Sequence, residues 1–239
     1  MSGIRELHTT GQLEANAVEF TEQQAVRLEK VRALRESGIE PYPLRAERTH
    51  TSLEAIAHYE AVEARLADGR DATEVVVVGR VMAFRDMGRS TFAHLEDGEG
   101  RIQIYLRANV LGREAYEHAI KFIDLGDFLE ARGHLFRTRT GEVTLEVTGW
   151  RFLAKAITPP PEKWHGLADV ETRYRQRYAD LFSNPEVRKI FVTRTRIISA
   201  IRRFLDSEGF LEVETPTLQP VYGGAAARPF TTYHNALDQ

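Results

Sequence analysis

At 239 residues the chain exceeds one typical domain and falls short of two full-sized enzyme domains, which points to one small domain beside a larger or incomplete one. With 42% hydrophobic and 28% charged residues it reads as a soluble globular chain, not a disordered or fibrous one, and its net charge of −3 is not that of a uniformly basic DNA-binding domain. The absence of cysteine excludes a disulfide framework, a thiolate zinc site and a cysteine nucleophile.

The opening residues, 1–20, show no sustained apolar period and are expected to form a flexible extension. A helical segment, 21–73, follows. Thr21 and Gln24 have capping-box spacing, Val26, Leu28, Val31 and Leu34 continue the helix, and Ser37-Gly38 stops it. Thr51 and Glu54 repeat the capping pattern for a second helix with Leu53, Ile56 and Leu66 apolar. From 74 to 156 the character changes. Val75 to Val81 is rich in β-branched residues, and strand-like runs follow at Thr91 to Glu96, Arg101 to Leu106, Phe128 to Thr138 and Glu142 to Leu153. A helix is expected over Arg113 to Phe122, and glycine-containing turns lie at Asp97 to Gly100 and at Thr140-Gly141. Three strands, a helix and two strands are the order of an OB-fold, a five-stranded partly open barrel that binds oligonucleotides. Pattern alone leaves another kind of five-stranded barrel open.

Pro159-Pro160-Pro161 can continue neither strand nor helix, so a linker is placed at 157–169 and a further domain at 170–239. Asn184-Pro185 supplies a capping residue and a first-turn proline for a long helix. Its apolar face includes Val187, Ile190, Phe191, Ile197, Ile201 and Phe204, and Gly209 ends it. Phe210 to Pro216 alternates as a short strand closed by proline. From Val170 to Asp206, nine basic residues against four acidic ones give a local net charge of +5, compatible with a solvated helix face or with a role near phosphates. The eight histidines, His134 among them, lack ligand spacing, so no structural metal is expected. No run is long enough to span a bilayer and no secretory leader is visible, so a cytoplasmic location is expected.

The long helix running into Gly209-Phe210-Leu211-Glu212-Val213-Glu214-Thr215-Pro216 resembles motif 1 of class II aminoacyl-tRNA ligases. The run from Trp164 to Tyr178 and the Gly223-Gly224-Ala225-Ala226-Ala227-Arg228-Pro229-Phe230 run resemble the lysine-specific branch of that family. The fold implied is α+β: N-terminal helices, an OB-fold barrel, then the beginning of a class II antiparallel-sheet catalytic domain. The activity implied is ATP-dependent activation of lysine to lysyl-adenylate and transfer to tRNA(Lys), with Mg2+ accompanying ATP and a homodimer built through motif 1. Similarity to the family places Gly224 and Ala225 beside the α-amino end of the substrate lysine; without it, the two glycines at 223 and 224 read as a simple turn.

For the anticodon, the family's positions fall on Arg85, Phe92, Gln103 and Glu142. Phe92 offers a flat face for a base, a contact worth about 1–3 kcal/mol. Arg85 and Gln103 can donate to the two uracil carbonyls, and Glu142 can accept from the uracil N–H. Taken singly, Arg85 reads equally as a solvated strand-end charge, Phe92 as core, and Gln103 and Glu142 as outward polar residues. The family's motifs 2 and 3, which hold ATP, are not found, so no catalytic residue is assigned and this chain alone is expected to be inactive. Two other readings stay open: an aspartate or asparagine ligase of the same subgroup, and an OB-fold nucleic-acid-binding protein without chemistry.

Overall fold

A computed structural model of the chain describes residues 20–161, 167–216, 228 and 230–238. The expected extension lies outside these residues apart from Phe20. The chain divides into two compact units, one ending at residue 165 and one beginning at residue 166.

In the first unit, helix α1 (Glu22–Glu36) starts at a reciprocal cap. The Thr21 hydroxyl accepts from the Gln24 N–H while the Gln24 side chain accepts from the Thr21 N–H. Gly38, at φ 75°, takes the left-handed conformation that ends the helix. Val31 and Leu34 are buried, but Val26 is half exposed, so the buried stripe is narrower than the apolar spacing suggested. Helix α2 (Ser52–Val62) has the same reciprocal cap between Thr51 and Glu54. Its buried face is Ala55 and Tyr59 rather than Leu53, and the Tyr59 hydroxyl donates to the Gly69 carbonyl at 2.7 Å.

Five strands follow: β1 (Arg70–Asp86), β2 (Ser90–Glu96), β3 (Arg101–Arg107), β4 (Phe128–Arg137) and β5 (Val143–Ala154). They close a barrel in the order β1-β2-β3-β5-β4, with β3 and β5 parallel and the other pairs antiparallel. This is the OB-fold arrangement. Between β3 and β4 lie a short turn of helix, α3 (Ala108–Leu111), and α4 (Arg113–Phe122), which sends Tyr116, Ala119 and Phe122 into the core. Strand alternation fills the barrel with Val75, Val77, Leu95, Ile104, Leu135 and Leu145.

Two polar devices close the barrel's ends. Asp97, in the β2–β3 turn, accepts from the Ser52 N–H at 2.6 Å and from the Glu99 and Gly100 N–H groups at 2.9 Å, tying the turn to the first turn of α2. Lys155, just after β5, is fully buried and donates to Asp124 and Asp127; Lys30 of α1 also donates to Asp124. Burying these charges is tolerable because they are paired and hydrogen-bonded.

The second unit contains α5 (Val170–Arg175), α6 (Arg177–Ser183) and α7 (Pro185–Ser207). Asp169 caps α5 by accepting from the Thr172 N–H at 2.7 Å. Two expectations are corrected here. Asn184 precedes α7 but makes no capping hydrogen bond, because its amide donates backward to buried Asp180 at 2.6 Å. Asp180 also gathers Arg173 and Arg177. Residues 210–216 form no strand: the alternating pattern is there, but no described segment pairs with it, and a strand exists only through its ladder partner. No residue of α7 is buried; Ile190, Ile197, Ile201 and Phe204 are each more than half exposed. Among the described residues no helix is long and apolar enough to cross a membrane.

Candidate nucleic-acid interface

The outer face of the barrel is set by alternation and one irregularity. On β1, Val75, Val77 and Val81 point inward; the register then steps from Val81 opposite Leu95 to Ala83 opposite His94, with Met82 extra. This bulge reverses the parity of the strand. Phe84 therefore packs against the core and Arg85 emerges on the outer face, opposite Phe92. Without the extra residue, Arg85 would be directed into the barrel.

Two neighbouring rows then cross the sheet. One runs Arg85, Phe92, Tyr105, Glu146, His134, and the next runs Ala83, His94, Gln103, Thr144, Phe136, Arg70. Phe92 is not a core residue: the inward positions beside it are Thr91 and Ala93, while its own ring is half-buried on the outside. It stacks on Tyr105 with centroids 4.3 Å apart and planes 15° from parallel, and Tyr105 tilts against Phe136 at 6.1 Å. Tyr105 covers the β3 side of the Phe92 ring. On the β1 side, exposed Arg85 stands opposite Phe92. A nucleobase entering there would extend the stack and meet a guanidinium, both favourable contacts for a π-face.

Polar groups lie on the next row. Gln103 donates through its amide nitrogen to Glu142 at 2.7 Å, and the Thr144 hydroxyl donates to the Gln103 carbonyl at 2.8 Å. These two bonds fix which end of the Gln103 amide faces which partner. His94 Nε2 approaches the other Glu142 oxygen at 3.0 Å. Glu142 stays largely exposed, with lone pairs to spare for an N–H donor. The structure thus brings Arg85, Phe92, Gln103 and Glu142 onto one face. Gly224 and Ala225 lie outside the described residues.

The same face carries groups that the residue pattern did not single out: Tyr105, His94 and a charged trio. Glu146 receives hydrogen bonds from both Arg70 and Arg107, the latter at 2.9 Å. Burial alone would raise the Glu146 pKa, but the two guanidinium groups outweigh it and hold the carboxyl below its usual range. Arg70 lies over the Phe136 ring at 5.3 Å and Arg107 over Tyr105 at 5.8 Å. Period-two spacing of Gln103, Tyr105 and Arg107 on β3 was the available sequence signal. Their meeting with Glu146 depends on the β3–β5 register, which sequence does not print.

Residues 75–153 match the OB-fold nucleic acid binding domain, and residues 169–239 match the tRNA synthetases class II (D, K and N). The chain is similar to the lysine–tRNA ligase of Carboxydothermus hydrogenoformans, with 52% identity over 220 residues, covering 92% of this chain and 43% of that protein. It is similar to the lysine–tRNA ligase of Roseiflexus castenholzii at 51% identity, covering 93% of this chain and 44% of the other. For the Bacillus subtilis lysine–tRNA ligase the identity is 48%, covering 95% and 45%. The chain therefore spans less than half the length of these relatives.

Proposed function

From the match of residues 169–239 to the class II tRNA synthetases of the D, K and N group and the similarity to lysine–tRNA ligases, we propose that the chain belongs to that family and that its barrel reads the anticodon of tRNA(Lys) for a lysine–tRNA ligase. The observation that supports this most is the outer face itself: a half-buried Phe92 stacked on Tyr105 and opposite exposed Arg85, and a hydrogen-bonded Gln103–Glu142 pair one row away. Uracil presents two carbonyl acceptors and one N–H donor, which Arg85, Gln103 and Glu142 complement; cytosine replaces part of that pattern with its opposite.

The whole enzyme would activate lysine with ATP, giving lysyl-adenylate and pyrophosphate, and pass the lysyl group to tRNA. On this reading Gly224 and Ala225 contact the α-amino end of lysine. Mg2+ would accompany ATP; among the described residues no three acidic or histidine side chains converge to hold a metal ion. Residues 21–69 serve as the helical segment and 70–156 as the anticodon-binding domain, the expected boundary at 73/74 moving back because β1 begins at Arg70; 157–169 serve as the linker and 170–239 as the start of the catalytic domain. The uncovered apolar face of α7 supports a homodimer.

The direct test is fluorescence anisotropy of the intact chain with two anticodon stem-loop RNAs, one carrying three uridines in the anticodon and one with cytosine at the central position. Preference for the uridine loop by about tenfold or more is expected from loss of a charged hydrogen bond. Equal affinities would reject anticodon reading by this face.

A further inference from the structure

The Arg70–Glu146–Arg107 trio lies beside the aromatic strip, outside the Arg85, Phe92, Gln103 and Glu142 set proposed to read the base. We propose that Arg70 and Arg107, gathered by Glu146, form a seat for a backbone phosphate of the RNA whose base stacks on Phe92. The proposal rests on the anticodon reading above.

Charge is the first argument. Two guanidinium groups share one carboxylate, so the trio keeps a net positive charge of one. The carboxylate side chain is only 10% exposed, whereas Arg70 and Arg107 remain 43% and 32% exposed. The negative group is thus beneath and the positive groups are accessible.

Donor supply is the second. A guanidinium has five N–H bonds in a rigid fork suited to phosphate oxygens. Arg70 uses its two terminal nitrogens on Glu146 and Arg107 uses one. The Nε–H of each, and Nη2 of Arg107, have no hydrogen-bond partner among the described residues.

Position is the third. Glu146 stands directly opposite Tyr105, and Tyr105 directly opposite Phe92. Two strand spacings, roughly 10 Å, separate the strand of the base-stacking ring from that of the carboxylate. Phosphates flanking a base on Phe92 fall within that range. The rings of Phe136 and Tyr105 under the two guanidinium groups limit their motion, so less entropy is lost when a phosphate binds. The competing account is a structural brace, since the trio also links β1, β3 and β5. A brace would affect melting temperature without affecting the salt dependence of RNA binding.

The experiment measures affinity of the intact chain for the three-uridine stem-loop from about 50 to about 200 mM salt, where each neutralised single-strand phosphate contributes about 0.7 to the log–log slope. Arg107→Gln and Arg70→Gln should each weaken binding on the order of tenfold at low salt and flatten the slope by about 0.7. Arg107→Lys, which keeps the charge, should retain most of the slope. Glu146→Gln removes the neutralising charge and should tighten low-salt binding with a steeper slope. Arginine variants that melt earlier but bind with wild-type affinity and slope would overturn the phosphate seat in favour of the brace. If the arginine variants bind normally while Phe92→Ala binds weakly, the seat fails and the anticodon reading survives. If the unaltered chain does not bind the stem-loop, both fail.

Discussion

Phe92 shows how a single residue's role depends on a neighbour that sequence does not reveal. Its ring is half-buried on the outer face and held by the Tyr105 stack, so truncation removes a preformed platform without opening a core cavity. Phe92→Ala is expected to reduce affinity for the uridine stem-loop by about 1–3 kcal/mol, roughly five- to 150-fold, with little change in thermal stability. Parallel titration and melting curves check both parts. A large stability loss would mean that the ring serves the fold instead. The resemblance named Arg85, Phe92, Gln103 and Glu142; alternation accounts for Phe92 and Gln103 facing outward on β2 and β3, whereas Arg85 owes its side of the sheet to the bulge. Tyr105 and His94 were not legible in the same way: each matters through the residue opposite it, and register is a property of two strands.

At the scale of elements, the strands were readable because β-branched runs end in glycine turns, and α4 because its apolar spacing begins and stops cleanly. The extension of β1 back to Arg70 was not, since Arg70, Asp71 and Glu74 carry no strand signal; Arg70 and Glu74 pair with β4 opposite Phe136 and His134, with an irregularity between them. Nor was the bulge at Met82, which has no residue signature, although it decides that Arg85 faces outward. The Lys155 cluster joins the end of β5 to the β4 approach and to α1. Lys155→Met would leave Asp127 buried without its ion-pair partner while Asp124 keeps Lys30, and a loss of about 3–5 kcal/mol is expected in urea denaturation followed by circular dichroism. A loss below about 1 kcal/mol would show that water reaches the carboxylates. Acid should act on the same junctions. For Asp97, burial raises the pKa, but the N–H groups of Ser52, Gly100 and Glu99 prevail and hold it low. Asp124 and Glu146 are likewise held low: burial raises each pKa, and the hydrogen bonds from Lys155 and Lys30 or from Arg70 and Arg107 outweigh it. A carboxylate with a depressed folded pKa contributes stability that is present above the unfolded value, about 4, and lost as pH falls through the folded one. The melting temperature should therefore be flat with respect to these groups between pH 5 and 7, taken as about one unit and more above that value, and fall below about pH 4. A fall that begins near neutrality would assign the acid sensitivity to other groups.

For the molecule as a whole, the feature that demands a partner is α7. A helix whose isoleucines at 190, 197 and 201 and phenylalanine at 204 all lie more than half in water leaves uncovered the face that its spacing marks as apolar. Sequence made this face legible and not its cover, because periodicity identifies an apolar stripe without naming what packs on it. A second copy of the chain is the cover consistent with the motif 1 likeness, and a two-fold interface would place each such residue against the same surface of its mate. Burying one isoleucine side chain is worth about 1.5–3 kcal/mol, and a two-fold axis counts each substitution twice. Ile197→Asp places a charge on both sides of that interface and should shift the dissociation constant upward by at least about a hundredfold, read by analytical ultracentrifugation over a concentration series. The salt slope of stem-loop binding per chain should stay unchanged, since the proposed RNA face lies on the barrel and not on α7. If Ile197→Asp sediments like the unaltered chain, α7 does not form the interface. If it also abolishes RNA binding, the two surfaces are coupled through dimer formation and anticodon reading requires the assembled protein.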